Sequence, residues 1–195
     1  MNNSERVQNA RESILRSARH EIERHGILGL RVADVAAGAN CSITQIYRYF
    51  TDRDGLLAQV LGDIYEEIVT GNGAAYRATV FSHETLVIDT IIDALPRTFD
   101  PAVATGTHLR LQILAASVTN APLRERLEEI TRAERDRWEE GLDEVERRLA
   151  PGEKFDRRMF SIFLVSILPY YRTLMGPDGF THEDFLRFFR EKLTS

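Results

Sequence analysis

Between Ser42 and Arg53 the chain sets hydroxyl, amide, phenol and guanidinium groups close together: Ser42, Thr44, Gln45, Tyr47, Arg48, Tyr49 and Arg53, with Arg31 upstream. These are hydrogen-bond donors and positive charge without a nucleophile–base pair. Such a set can hold an anionic or polar partner and is no constellation for breaking bonds. Bond-breaking constellations do not turn up elsewhere. His20-Glu21 followed by His25 is close to a zinc-protease motif, but the histidines stand five residues apart instead of four and would not share a helical face. There is no glycine-rich phosphate loop and no paired His-plus-carboxylate motif for a di-iron bundle. Cys41 is the single cysteine, which excludes an internal disulfide and a cysteine-rich zinc site; a packed thiol is expected. The expectation is a non-enzyme without metal or other cofactor.

Helices must position these groups. Apolar residues recur at helical spacing along the whole chain and no sustained strand alternation occurs, so the fold class is all-α with about nine helices. Val7, Ile14, Ala18 and Ile22 mark a first helix from about Ser4 to His25, with Gly26 free to end it in the left-handed conformation. Short helices follow over about Val32 to Gly38 and Ile43 to Phe50, joined by Ala39-Asn40-Cys41. Asn40 falls where the backbone turns left-handed. Ser42 and Gln45 have the capping-box spacing. Two such helices and their turn describe a helix-turn-helix whose second helix enters the major groove. Asp52 caps a fourth helix carrying Leu56, Leu57, Val60, Leu61, Ile64 and Ile68, with a break expected at Gly71-Asn72-Gly73. A fifth helix is expected from near Ser82 to Leu95, where Pro96 ends it. Asp100-Pro101 opens a sixth to about Val118, and Asn120-Ala121-Pro122 a seventh to about Leu149. An eighth runs from Asp156 to about Met175 and a last from Thr181 to Leu193.

The stretch Val32-Ala33-Asp34-Val35-Ala36-Ala37-Gly38-Ala39-Asn40-Cys41-Ser42-Ile43-Thr44-Gln45-Ile46-Tyr47-Arg48-Tyr49-Phe50, with Asp52-Arg53-Asp54 and Leu56-Leu57 behind it, resembles the N-terminal signature of TetR-type transcriptional repressors. The resemblance covers roughly residues 10–60; the remainder is similar only in length and helical layout. It departs at Asn40, where glycine is usual, at Arg31-Val32, where Thr or Ser usually opens the second helix, and at Gln45, where Thr is frequent. The resemblance implies DNA contacts from Arg31, Ser42, Thr44, Gln45, Tyr47, Arg48, Tyr49 and Arg53. Thr44 and Gln45 would reach base edges, Tyr47 and Tyr49 would donate hydroxyls to phosphates, and Arg53 would add charge at a helix N-terminus. Arg48 would go to phosphate or guanine, and Arg31 to phosphate. Other roles stay open: Gln45 can be spent on the capping box, Tyr47 can be partly core, and Arg31 and Arg53 can be solvated charges.

The resemblance also implies a homodimer, a double-stranded operator and a small-molecule effector. The eighth helix is apolar nearly all round and the last carries Phe185, Phe188 and Phe189; these two helices, about 156–175 and 181–193, are the expected dimer interface, the alternative being a closed monomeric core. Candidate effector contacts are Tyr65, His108, Gln112, Glu134 and Trp138, with Tyr76 and Phe99 as further possibilities. Glu134 falls on the apolar face of the seventh helix between Ile130 and Trp138. There it can receive a ligand, although the preferred reading puts Ala133 at that level and turns Glu134 to solvent.

Composition bounds the rest. The 195 residues are 43% hydrophobic and 28% charged, the profile of a soluble globular protein. No apolar run approaches the roughly 18 residues that span a bilayer, and the first residues lack a signal-peptide pattern, so a cytoplasmic location is expected. Net charge is −5, yet residues 1–55 carry eight Arg against seven Asp and Glu. That asymmetry has the sign of a DNA-binding head on an acidic body. The expected division is a helix-turn-helix head over 1–54 and a ligand-binding and dimerisation domain over 55–195. The alternative function is a helical ligand-binding or adaptor dimer that does not bind DNA.

Overall fold

The computed structural model describes the backbone of residues 3–95, 104–166, 183, 186, 187, 190 and 191, and the side chains of these except 3, 104–108 and 162–166. The chain is all-helical: α1 Asn3–Gly29, α2 Val32–Gly38, α3 Ile43–Phe50, α4 Arg53–Phe81, α5 Ile88–Asp93, α6 Ala104–Ser117, α7 Ala121–Arg148 and α8 Arg157–Ser166. Among the described residues the only sheet-like pairing is one isolated parallel bridge, Leu86 to Leu149. The chain packs as two compact units, Met1–Glu66 with Gln112–Ile130, and Glu67–Leu111 with Thr131–Ser195.

In the first unit α1 supplies Ile14, Ala18 and Ile22, which are buried with Val35 and Ala36 of α2, Ile46 and Phe50 of α3, and Leu56, Leu57, Val60 and Leu61 of α4. These positions follow the 3.6-residue period, so each helix turns one apolar stripe inward. Gly26 breaks α1 at φ 71°, and the last turn of that helix carries on to Gly29. The α2 and α3 limits match the expected ones. The α6–α7 turn joins the same unit through Asn120, a buried residue. Its Oδ1 accepts from Leu123 N at 2.8 Å, capping α7, and its Nδ2 donates to the Asp54 carbonyl of α4 at 3.1 Å.

The second unit is built round Tyr76, Val80, Leu86, Ile88, Ile91, Ile92, Leu95, Leu142, Val145 and Phe160. The Trp138 and Phe160 rings stack at 5.8 Å, with Tyr76 tilted 5.4 Å from Trp138. Arg148 ties off α4 by donating to the carbonyls of Phe81 at 3.0 Å and His83 at 2.9 Å. Asp156 caps α8, its Oδ1 accepting from Met159 N at 2.8 Å. Arg157 then clasps three carboxylates of α7: Glu139 at 2.6 Å, Asp143 at 2.8 Å and Glu146 at 3.1 Å.

Three expectations are corrected. The helix does not break at Gly71-Asn72-Gly73: α4 continues to Phe81, because burial of Tyr76 and Val80 outweighs the roughly 1 kcal/mol that each helical glycine costs. Gly73 also has a packing reason, since a Cβ there would collide with the Glu134 carboxylate. The fifth helix starts at Ile88 and not near Ser82; Leu86 instead exchanges hydrogen bonds with Arg148 O and Ala150 N, each 2.8 Å, in extended conformation. Glu134 does not turn to solvent. Its side chain is 15% exposed and ion-paired to Arg137 at 2.9 Å and Arg77 at 3.5 Å, while Ala133 is the exposed neighbour. The Asp100-Pro101 opening, Phe99, and most of the expected interface over 167–182 lie outside the described residues.

Candidate nucleic-acid interface

The turn between α2 and α3 is a Schellman motif. Cys41 N–H donates to Ala36 O at 2.9 Å and Asn40 N–H to Ala37 O at 3.2 Å, with Asn40 left-handed at φ 52°. Asparagine can hold that conformation because its short polar side chain tolerates φ above zero better than other non-glycine residues. The motif satisfies carbonyls at the end of α2 and lets the chain reverse directly into α3. Cys41 is partly buried in this turn, and burial pushes its thiol pKa up, away from a reactive thiolate.

Ser42 opens α3. Its Oγ accepts from Gln45 N–H at 3.1 Å, leaving the hydroxyl proton available. This is half of the expected capping box. The Gln45 carboxamide makes no hydrogen bond among the described residues, so it is not spent on the cap. Ile46 and Phe50 are buried, which turns Ile43, Thr44, Tyr47 and Arg48 outward; Ile43 is 42% and Tyr47 39% exposed. Arg48 lies over the Tyr49 ring at 5.1 Å and donates to its hydroxyl at 3.2 Å. The Tyr49 oxygen thereby accepts from a cation while its own proton is left to donate outward, which strengthens it as a donor.

Behind α3 the chain makes a sharp corner. Thr51 adopts φ 68° and ψ −57°, and Asp52 N–H donates to Phe50 O at 2.7 Å, the geometry of a strained γ-turn. Asp52 then caps α4 through Gly55 N–H at 2.8 Å. A Cβ on Gly55 would fall on the Phe50 carbonyl, so the corner admits only glycine there. Arg53 is exposed in the first turn of α4. Arg31 is the exposed N-cap residue of α2 and makes no side-chain cap hydrogen bond.

Residues 14–60 match the family described as bacterial regulatory proteins, tetR family. The matched stretch covers the latter part of α1, all of α2 and α3 and the start of α4. Solved structures extend the likeness of fold to the remainder. A chain from Rhodococcus sp., assigned to the TetR-family transcriptional regulators, superposes with a TM-score of 0.58 at 21% identity, covering 96% of this chain and 100% of that one. A chain from Pseudomonas aeruginosa PAO1, assigned as a transcriptional regulator, gives 0.56 at 16% identity, covering 98% and 89%. No curated protein sequence matches the chain. The chain thus shares an all-helical fold with these structures and carries a tetR-like stretch over 14–60. Among the described residues no helix is long and apolar enough to cross a membrane.

The effector candidates divide between the two units. Tyr65, buried at 4% exposure, and Gln112, exposed, belong to the first unit. Glu134 and Trp138 belong to the second, as does the backbone of His108, whose side chain lies outside the described ones. Trp138 Nε1 donates to Ser161 Oγ at 3.3 Å, and the two arginines occupy Glu134. The Tyr76 hydroxyl is buried without a partner among the described residues, and burial pushes its pKa well above the usual tyrosine value. A 430 Å³ cleft is lined by Glu139, Arg157, Arg158 and Ser161, none of which the residue pattern singled out. Its arginine and glutamate are brought together by the α7–α8 clasp, which no local motif announces.

Proposed function

We propose that this regulator binds a two-fold symmetric DNA operator as a homodimer and represses transcription from it until a small molecule releases it. Recognition belongs to the head over 1–54, and effector binding and dimerisation to 55–195. The contacts are Arg31, Ser42, Thr44, Gln45, Tyr47, Arg48, Tyr49 and Arg53, with the last two helices, about 156–175 and 181–193, forming the dimer.

One observation carries the reading: α3 buries Ile46 and Phe50 and presents Thr44, Tyr47 and Arg48 outward beside an unspent Gln45 amide. A glutamine amide suits adenine N6 and N7, a threonine a thymine methyl, and exposed guanidinium and phenol groups suit phosphates. One eight-residue helix reads few base pairs, so useful specificity calls for two half-sites and hence two chains. An effector that altered the separation of the heads would prevent both half-sites from being engaged together.

The test is selection of bound fragments from random duplex DNA with purified protein, repeated with a Gln45→Ala, Tyr47→Phe variant. A two-fold symmetric site that the variant loses or alters is the expected result. A folded dimer that enriches nothing at low salt would overturn the reading and favour a ligand-binding or adaptor dimer. The enriched duplex then serves as the probe for compounds that release it, with Tyr65, His108, Gln112, Glu134 and Trp138 as the positions to vary.

A further inference from the structure

The start of α7 is held on α4 at two levels within one compact unit. At the first, the buried Asn120 amide donates to the Asp54 carbonyl at 3.1 Å while its oxygen caps α7. At the second, Arg126 donates to Asp63 at 3.4 Å and Glu66 at 3.2 Å. Asp63 also accepts from Gln59 at 2.8 Å, and Gln59 accepts from Arg11 at 2.8 Å. Arg11 in turn lies over the Phe50 ring at 5.3 Å. The Asp54 carbonyl is one residue past Arg53 and belongs to the turn whose corner Thr51 holds under strain. A strained corner needs something to hold it from the far side. The cap of α7 needs only an acceptor, and Ser, Asp and Asn serve equally well there. The second bond needs a donor, which an amide has and a carboxylate lacks, and a reach that serine does not have.

We infer that Asn120 is a positioning residue for DNA binding: its amide fixes the first turn of α4, and with it Arg53, against the start of α7. The consequence for DNA rests on the operator-binding reading above; the fixing of α4 does not. Asn120→Ser separates the two roles, because serine keeps the cap and drops the tether.

Two measurements test it. Hydrogen exchange on the free protein is expected to quicken across residues 53–58 in Asn120→Ser while the Leu123 and Arg124 amides, bonded to residue 120, stay protected. Unchanged exchange at 53–58 would overturn the inference. On the duplex enriched by the wild-type protein, Asn120→Ser is expected to weaken binding about tenfold, as the loss of one hydrogen bond in each of two chains implies. It should also flatten the salt dependence, and add nothing further in an Arg53→Gln background. Additive losses, or an unchanged salt dependence, would overturn the link to Arg53. If the wild-type protein enriches no duplex, operator binding fails and the exchange result alone decides the role of Asn120.

Discussion

Single side chains in this molecule sit where their neighbours leave them few options, and the cost of each shows in an identifiable term. Tyr76 buries a hydroxyl without a partner among the described residues, between Trp138 and Phe160. An unsatisfied buried donor costs about 1–3 kcal/mol, so Tyr76→Phe is expected to raise stability by about 1 kcal/mol in denaturant titrations at neutral pH. The alkaline limb has a definite sign. The unfolded chain releases the phenol proton near pH 10 while burial keeps it on in the folded state, so above about pH 10 the folded state binds more protons and stability falls as pH rises. That part of the alkaline loss should be missing in Tyr76→Phe. At the α3–α4 corner, Gly55→Ala drives a methyl into the Phe50 carbonyl and is expected to cost about 1–3 kcal/mol and to weaken DNA binding. Thr51→Gly removes a β-branched residue from φ 68° and is expected to stabilise by up to about 1 kcal/mol, measured by the same titration.

At the scale of helices, the two glycines of α4 make a controlled comparison. Gly71 faces open space and Gly73 faces Glu134. Gly71→Ala should therefore stabilise by about 0.5–1 kcal/mol, whereas Gly73→Ala should lose that gain to the displaced carboxylate; melting temperatures of the pair decide it. The same pair shows what could be seen beforehand. The limits of α2 and α3, the left-handed Asn40 and the Ser42 and Asp52 caps were legible, because each is set by residues within four or five positions of one another. Gly73 read as punctuation because the partner that explains it, Glu134, is far away in sequence. Glu134 itself was misplaced for the mirror-image reason: its cation Arg77 lies 57 residues off. The tether from Asn120 to Asp54 spans 66 residues and left no mark in either segment. Of the candidate contacts, the exposure of Thr44 followed from its place at the start of α3, whereas the exposure of Tyr47 was left open and the pairing of Arg48 with Tyr49 left no local sign.

For the molecule as a whole, an acidic protein that binds a polyanion must concentrate its positive charge. The net charge is −5, and the proposed interface supplies Arg31, Arg48 and Arg53 from each head. If two heads neutralise about six phosphates, the logarithm of the binding constant should fall with the logarithm of salt concentration at a slope of about −5. A slope near zero on the enriched duplex would remove these arginines from the interface. Replacing Arg53 by Gln should reduce the slope by about two, one contact per head.

The unbroken course of α4 through Asn72-Gly73 bears on how the protein ages. An asparagine followed by glycine ordinarily converts to aspartate through a succinimide, formed when the glycine nitrogen attacks the asparagine side chain. Helical backbone angles hold that nitrogen out of line and engage its proton. Asn72 should stay unmodified for as long as this turn stays wound, so the rate at which aspartate accumulates there is a chemical clock for its unwinding.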